Sequence, residues 1–422
     1  MFDTSWTIYQ MFPRYYGSFQ AMTEDLERLK NLGVDVLYLM PFHPTGEKDR
    51  KGAYGSPYAI KDYFAIDPML GSERDLSLFI SEAHRHGFRV LYDAVLHHSA
   101  TDSVIVRDYP EWIKKDEEGN FTREIDEWDD IYDYDFEVGD LWYYLADVLA
   151  YWKNFGFDGF RADVAGLIRT DFWTFVKDQI DPEGNLIWLS ESPQYELCQV
   201  FDAIYNYELY KTMYGIWTGT SSYKDMYSKV WMMNDIYSER CVLVNFLENH
   251  DWPRAAAMIK GEEVLLHWTV FMYFLPGVPM ISQGQEYAET EKIDIFSSYG
   301  TWSTEDRDIR WFRVFQGLNK LRHSLGVWQE GDAVPMRVAE NTPEGIFALL
   351  RYTDEGEYLL GLFNLSGADV SSVAVELGAQ WDSGDVKVRD ILSGKDIEVK
   401  GLGDGYVEIP IDSPKLLYLP TL

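Results

Sequence analysis

Three acidic residues of this 422-residue chain follow short apolar runs at intervals that a repeating strand-plus-helix unit produces. Asp163 closes the run Gly159-Phe160-Arg161-Ala162-Asp163, and Glu191 comes 28 residues later, after Leu189-Ser190. Asp251 lies a further 60 residues on, at the end of Phe246-Leu247-Glu248-Asn249-His250-Asp251. One strand with its crossover helix takes roughly 25 to 40 residues, so the acids fall at the ends of strands n, n+1 and n+3 of a parallel barrel. The C-terminal strand ends of such a barrel meet at one mouth, where barrel enzymes keep their chemistry. Two carboxyls facing one another there can cleave a glycosidic bond. One attacks the anomeric carbon while the other, protonated and about 5 Å away, donates to the leaving oxygen. Asp163 suits the first role, Glu191 the second, and Asp251 can stabilise positive charge as it develops. Arg161, two residues before Asp163 on the same strand face, is expected to hold that carboxylate ionised. Glu191 needs partial desolvation instead, so that it keeps its proton.

The elements that must position these acids are legible as alternation. Residues 7–12, 36–40, 89–96, 159–163, 186–191, 201–205, 241–247 and 278–283 read as strands, and 23–31, 72–86 and 141–155 as helices between them. Eight strands with repeated βα alternation predict a parallel (β/α)8 TIM barrel. The stretch 99–135 is too long for an ordinary βα loop and carries the turn signal Asp116-Glu117-Glu118-Gly119-Asn120, so it is expected to be a short lobe inserted after strand 3. From about residue 330 the pattern changes to runs at 345–352, 358–365, 370–377, 386–391 and 406–411 without helical spacers, which predicts a C-terminal antiparallel β-domain. The expected division is therefore 1–98 and 136–329 for the barrel, 99–135 for the lobe and 330–422 for the β-domain.

Composition narrows the partners. Hydrophobic residues make up 46% of the chain, as in a folded globular protein. The net charge of −33 repels nucleic acid and anionic membrane and leaves a neutral substrate as the natural ligand. Aromatics reach 16%, and sugar rings stack on aromatic faces, yet Trp112, Trp128, Tyr132 and Tyr134 of the lobe are expected mainly to pack it. The apolar run 271–280 is broken by Pro276, Gly277 and Pro279, and Met1 to Trp6 shows no leader pattern, so neither a membrane span nor a signal peptide is expected. Cys198 and Cys241 give no disulfide framework and no metal-ligand spacing; they are read as buried thiols of a cytoplasmic protein. The acids Asp126, Glu127, Asp129, Asp130, Asp133 and Asp135 form a solvated face or a cation site.

Taken in order, these motifs resemble the four signature regions of the α-amylase family, glycoside hydrolase family 13. Asp93-Ala94-Val95-Leu96-His97-His98 is similar to the first, Gly159 to Asp163 to the second, Leu189-Ser190-Glu191 to the third and Phe246 to Asp251 to the fourth. The resemblance implies Asp163 as nucleophile, Glu191 as general acid/base and Asp251 as transition-state stabiliser. It further implies that His98, Arg161 and His250 line the subsite of the cleaved sugar. The stretch from Gly55 to Tyr63 makes Tyr58 the platform under that sugar, while Asp93 orders loops.

Departures from the family pattern are informative. His97 stands where many members carry an Asn that helps to bind structural calcium; a buried structural histidine is expected there, and neither a metal nor a cofactor is assigned. Val164-Ala165-Gly166-Leu167 lacks the Lys-His pair that many α-amylases place on the leaving-group side, and Ser192-Pro193 replaces an aromatic after Glu191. The resulting expectation is a retaining enzyme cleaving α-1,4 bonds of starch-derived oligosaccharides. A transglycosylase or isomerase of the same family is the alternative. A non-catalytic partner protein on the same fold, or a binding module without turnover, would not need all three acids.

Overall fold

Strands that are apolar on both faces belong between a filled interior and a ring of helices, and eight such strands close on themselves here. The computed structural model describes residues 2–237, 241–381 and 384–419. In chain order the strands of the first two-thirds are β1 (Ile8–Met11), β2 (Val36–Leu39), β3 (Arg89–Ala94), β4 (His98–Ala100), β5 (Ile131–Asp133), β6 (Gly159–Ala162), β7 (Ile187–Ser190), β8 (Ala203–Tyr205), β9 (Val242–Asn245) and β10 (Val278–Ser282). All but β4 and β5 form a closed parallel barrel in the order β1-β10-β9-β8-β7-β6-β3-β2. Every barrel-strand residue is buried except Arg89 and Val242 at strand starts, as expected for parallel strands covered on both faces.

The crossover helices follow from ordinary signals. Helix Glu73–Arg85 starts with a Ser72/Asp75 capping box and buries Leu76, Phe79, Ile80 and Ala83 at helical spacing. The expected helix at 23–31 is instead two, Phe19–Glu24 and Leu26–Leu32, parted at Asp25. Asp25 is held there because its carboxylate accepts from Tyr16 Oη and from Arg28.

The inserted lobe begins on the barrel itself. Strands β4 and β5 pair antiparallel with His98 opposite Asp133, so the lobe is fastened directly beyond the end of β3.

Beyond the barrel, β11 (Asp332–Pro335), β12 (Ile346–Tyr352), β13 (Tyr358–Asn364), β14 (Ser372–Glu376), β15 (Asp385–Asp390), β16 (Lys395–Gly403), β17 (Tyr406–Pro410) and β18 (Lys415–Leu419) form one antiparallel sheet, ordered β11-β12-β13-β18-β15-β16-β17-β14. Strands β11, β16 and β18 were not expected. The apolar pattern of β16 is weak, since most of its side chains are exposed or half-buried, and β18 opens on a lysine. Arg351 docks this sheet to the barrel by donating to the carbonyls of Gly331 and Phe274.

Cys198 and Cys241 are not free thiols; they form a disulfide with Cα atoms 5.4 Å apart. Cys198 lies in the turn after β7 and Cys241 immediately before β9, the strands on either side of β8. A separation of 43 residues gave no hint of this, because the barrel rather than the sequence brings them together. The argument for a reducing compartment therefore loses its basis. Among the described residues no helix is long and apolar enough to cross a membrane.

The contact between β6 and β7, which lead directly into two of the three acids, admits no side chain at Gly159. A Cβ there would lie 2.1 Å from the carbonyl oxygen of Ile187. Gly159→Ala is accordingly expected to destabilise the fold by about 3 kcal/mol or more, which is overpacking against backbone that cannot yield. Thermal or urea melts of the two proteins measure it.

Candidate active site

Arg161 is the centre of the mouth and has no exposed surface. Its Nη1 lies 2.7 Å from Asp93 Oδ1 and 2.8 Å from Asp163 Oδ1, and its Nη2 lies 2.8 Å from Glu191 Oε2. The rings of Tyr38, Tyr58 and Tyr205 surround the guanidinium at 5.2, 5.9 and 5.7 Å. Strand geometry explains the cluster: Asp93, Arg161 and Leu189 are neighbours in register across β3, β6 and β7, so residues just beyond them converge. One buried cation thus serves three carboxylates.

That sharing modifies the expected charge balance at Asp163. Arg161 does pair with it, but burial pushes the Asp163 carboxyl well above the ordinary range, outweighing Arg161, and the nearby Glu191 and Asp93 carboxylates push the same way. Asp93 is pushed up to about 6, again mainly by burial, with Arg161 and the Tyr38 hydroxyl opposing. It accepts from Tyr38 Oη at 2.6 Å and Tyr58 Oη at 3.2 Å, so it anchors Arg161 and Tyr58 together.

Glu191 is gripped at both oxygens. Oε2 accepts the Val164 amide at 3.0 Å, and Oε1 accepts the Tyr207 hydroxyl at 2.8 Å. Val164 sits at φ 38°, ψ 41°, a left-handed conformation that costs a β-branched residue roughly 1 to 3 kcal/mol. The strain falls on the residue after Asp163 and aims its N–H at Glu191, coupling the two acids through one peptide.

His250 and Tyr58 form a stacked pair, with ring centroids 5.2 Å apart and 18° between planes. Burial lowers His250 to about 3, so its ring is neutral; Nδ1 accepts from Gln10 Nε2 at 3.0 Å and Nε2 faces Asp251 Oδ1 at 3.2 Å. Asp251 stands at the rim with 47% of its side chain exposed, and its tie to the other acids runs through His250. His98 is buried beside His97 and 5.3 Å from the Trp128 ring, and burial keeps it neutral.

The expected residues therefore come together as a buried triad of Asp163, Glu191 and Arg161, a Tyr58–His250 wall, Asp251 at the rim and His98 at the lobe side. Trp112 is stacked on Tyr109 at 4.0 Å and Tyr134 is buried, as packing requires. The acidic cluster of the lobe is divided: Lys51 pairs with Asp129 and Asp130 at 3.0 and 3.2 Å, while Asp133 turns inward towards His97.

Sequence reasoning missed Tyr207, Tyr38 and Gln10. Tyr207 lies two residues past β8, the weakest strand in the pattern, and opens helix Tyr207–Thr218, whose cap is Asn206. Its place at a C-terminal strand end was the available signal.

Comparison with known proteins bears on the family and the fold. Residues 5–124 match the family model described as the catalytic domain of alpha-amylase. A maltogenic alpha-amylase from Thermotoga neapolitana has a solved structure that is 34% identical, covers 99% of both chains and superposes with a TM-score of 0.91. Among curated relatives, an alpha-amylase of Haloarcula japonica is 26% identical over 96% of this chain. An alpha-1,4-glucan:maltose-1-phosphate maltosyltransferase of Picrophilus torridus is 25% identical over 94%. The chain spans 60% and 66% of the lengths of those two relatives. With a closed eight-stranded barrel, a C-terminal antiparallel sheet and a full-length structural relative at 34% identity, the chain belongs to the α-amylase family.

Proposed function

We propose that this chain is a retaining α-glucan hydrolase that cleaves α-1,4 bonds of malto-oligosaccharides through a covalent glycosyl intermediate on Asp163. The observation that carries the reading is that Asp163 and Glu191 lie at the two terminal nitrogens of the same buried guanidinium. Carboxyls held that near to one another favour nucleophile plus acid over an arrangement with a water between them. Glu191 protonates the leaving oxygen, then takes the proton of the incoming water. Asp251 faces the sugar from the rim, and His98, His250 and Tyr58 line its subsite, with Tyr58 beneath the ring. Arg161, being fully buried, acts on the carboxylates that hold the sugar. The division at 1–98, 99–135, 136–329 and 330–422 is proposed as the functional one, with catalysis confined to the barrel and the mouth of its lobe.

Products from maltoheptaose test the reading. Shorter fragments alone are expected, whereas chains longer than seven units would assign the enzyme to transfer, the activity named for the Picrophilus torridus relative.

Tyr207 adds a measurable consequence. Its hydroxyl stays protonated, because burial and then the Glu191 and Asp251 charges push it well above its usual value. The hydrogen bond it donates to Glu191 Oε1 fixes the orientation of that carboxyl. Tyr207→Phe should therefore lower kcat by about tenfold, because Glu191 loses the donor that orients it at 2.8 Å. The acid limb of the kcat/KM profile, set by ionisation of Asp163, should lie above the ordinary aspartate range because burial raises that carboxyl. Unchanged kcat in the folded variant would show that Tyr207 only packs.

A further inference from the structure

We propose that His97, His98 and Asp133 form a site for one divalent ion of the nitrogen-preferring class, zinc, cobalt(II) or nickel(II), and not for calcium. Three donors from these residues lie within 4.8 Å of one another, and all three side chains are buried. His97 Nδ1 is 3.3 Å from His98 Nδ1 and 3.4 Å from Asp133 Oδ1. Donors bound tetrahedrally at about 2.0 to 2.1 Å from a zinc-like ion stand about 3.3 to 3.4 Å apart. The two separations from His97 Nδ1 agree with that value, while neither the histidine pair nor the histidine–carboxylate pair is as close as a good hydrogen bond.

The second observation is an orphan. Asp133 is 1% exposed, and its Oδ1 has no hydrogen-bond partner among the described residues, although Oδ2 accepts the Glu124 amide at 2.6 Å. A buried carboxylate oxygen without a donor is costly unless a cation takes it. The orphaned atom is the one turned towards His97.

Backbone pairing fixes all three ligands in advance. His98 and Asp133 are opposed in β4 and β5. The His97 carbonyl accepts the Tyr134 amide, the His98 carbonyl accepts Tyr63 Oη, and the Asp133 backbone is bonded to Lys114 and Thr122. An ion here would clamp the lobe to the barrel and set the orientation of the His98 ring beside the mouth. Selectivity follows from donor chemistry: calcium takes six to eight oxygens, whereas two imidazoles and one carboxylate suit zinc, cobalt and nickel.

The test uses the chelator-stripped full chain, titrated calorimetrically with zinc chloride and with calcium chloride. One equivalent of zinc is expected, bound at least 100-fold more tightly than calcium and raising the melting temperature. Cobalt(II) should give visible bands of a nitrogen- and oxygen-ligated low-coordinate ion. Asp133→Asn and His97→Gln should each weaken zinc binding at least 100-fold. Absence of stoichiometric zinc binding, tighter binding of calcium, or zinc affinity unchanged in the folded variants would overturn the assignment. If Asp133→Asn does not fold, His97→Gln and the wild-type cobalt spectrum decide.

Discussion

Asp163→Asn is expected to lower kcat by roughly four orders of magnitude or more, equivalent to about 5.5 kcal/mol of transition-state stabilisation, on oligosaccharides and on activated aryl α-glucosides alike. An amide cannot attack the anomeric carbon, and no leaving group compensates for a missing nucleophile. The fold should survive, because the substitution is isosteric and Arg161 keeps Asp93 and Glu191 as partners at 2.7 and 2.8 Å. Steady-state kinetics beside a thermal melt separate the two effects. Near-normal turnover by the folded variant would remove Asp163 from the chemistry.

Glu191→Gln should lose a comparable factor, about 10³ to 10⁴, on oligosaccharides but behave differently with an aryl glucoside whose leaving group needs little protonation. The first, bond-breaking step should then persist while hydrolysis of the intermediate stalls for want of a base. Added azide, which needs no base, should restore turnover and give a glycosyl azide with the α configuration. Loss of both steps with no rescue by azide would mean that Glu191 positions groups without transferring a proton. The grip on this residue makes the contrast clean, since a glutamine oxygen can still accept from Val164 or Tyr207, which bind Glu191 at 3.0 and 2.8 Å.

The barrel was legible because its signal is local. Each strand is a short apolar run buried on both faces, so β1 to β3, β6, β7 and β10 stand out in any reading of the chain. Asp163 and Glu191 were legible for the same reason, as polar residues terminating such runs. The rest depends on contacts between distant segments. Tyr207 is one tyrosine among 29, and its hydrogen bond to Glu191 exists because β7 and β8 are neighbours. The Cys198–Cys241 bridge spans β8 in the same way. Asp133 read as one of six acids forming a solvated face or a cation site, and the β4–β5 pairing turns it inward. Strand β16 escaped notice because a half-exposed strand carries too few apolar residues to announce itself. The charge balance at Asp163 also lay beyond sequence, since Arg161 two residues away implied a single partner while the folded mouth gives that arginine three.

The central claim is a double displacement, with Asp163 attacking and Glu191 assisting both leaving group and water, and the anomeric configuration of the first-formed product tests it most directly. Proton NMR of maltoheptaose cleavage, recorded before mutarotation, should show the α-anomer appearing first, the β-anomer growing only later by equilibration. Initial release of the β-anomer would mean that water attacks directly, and would contradict the account.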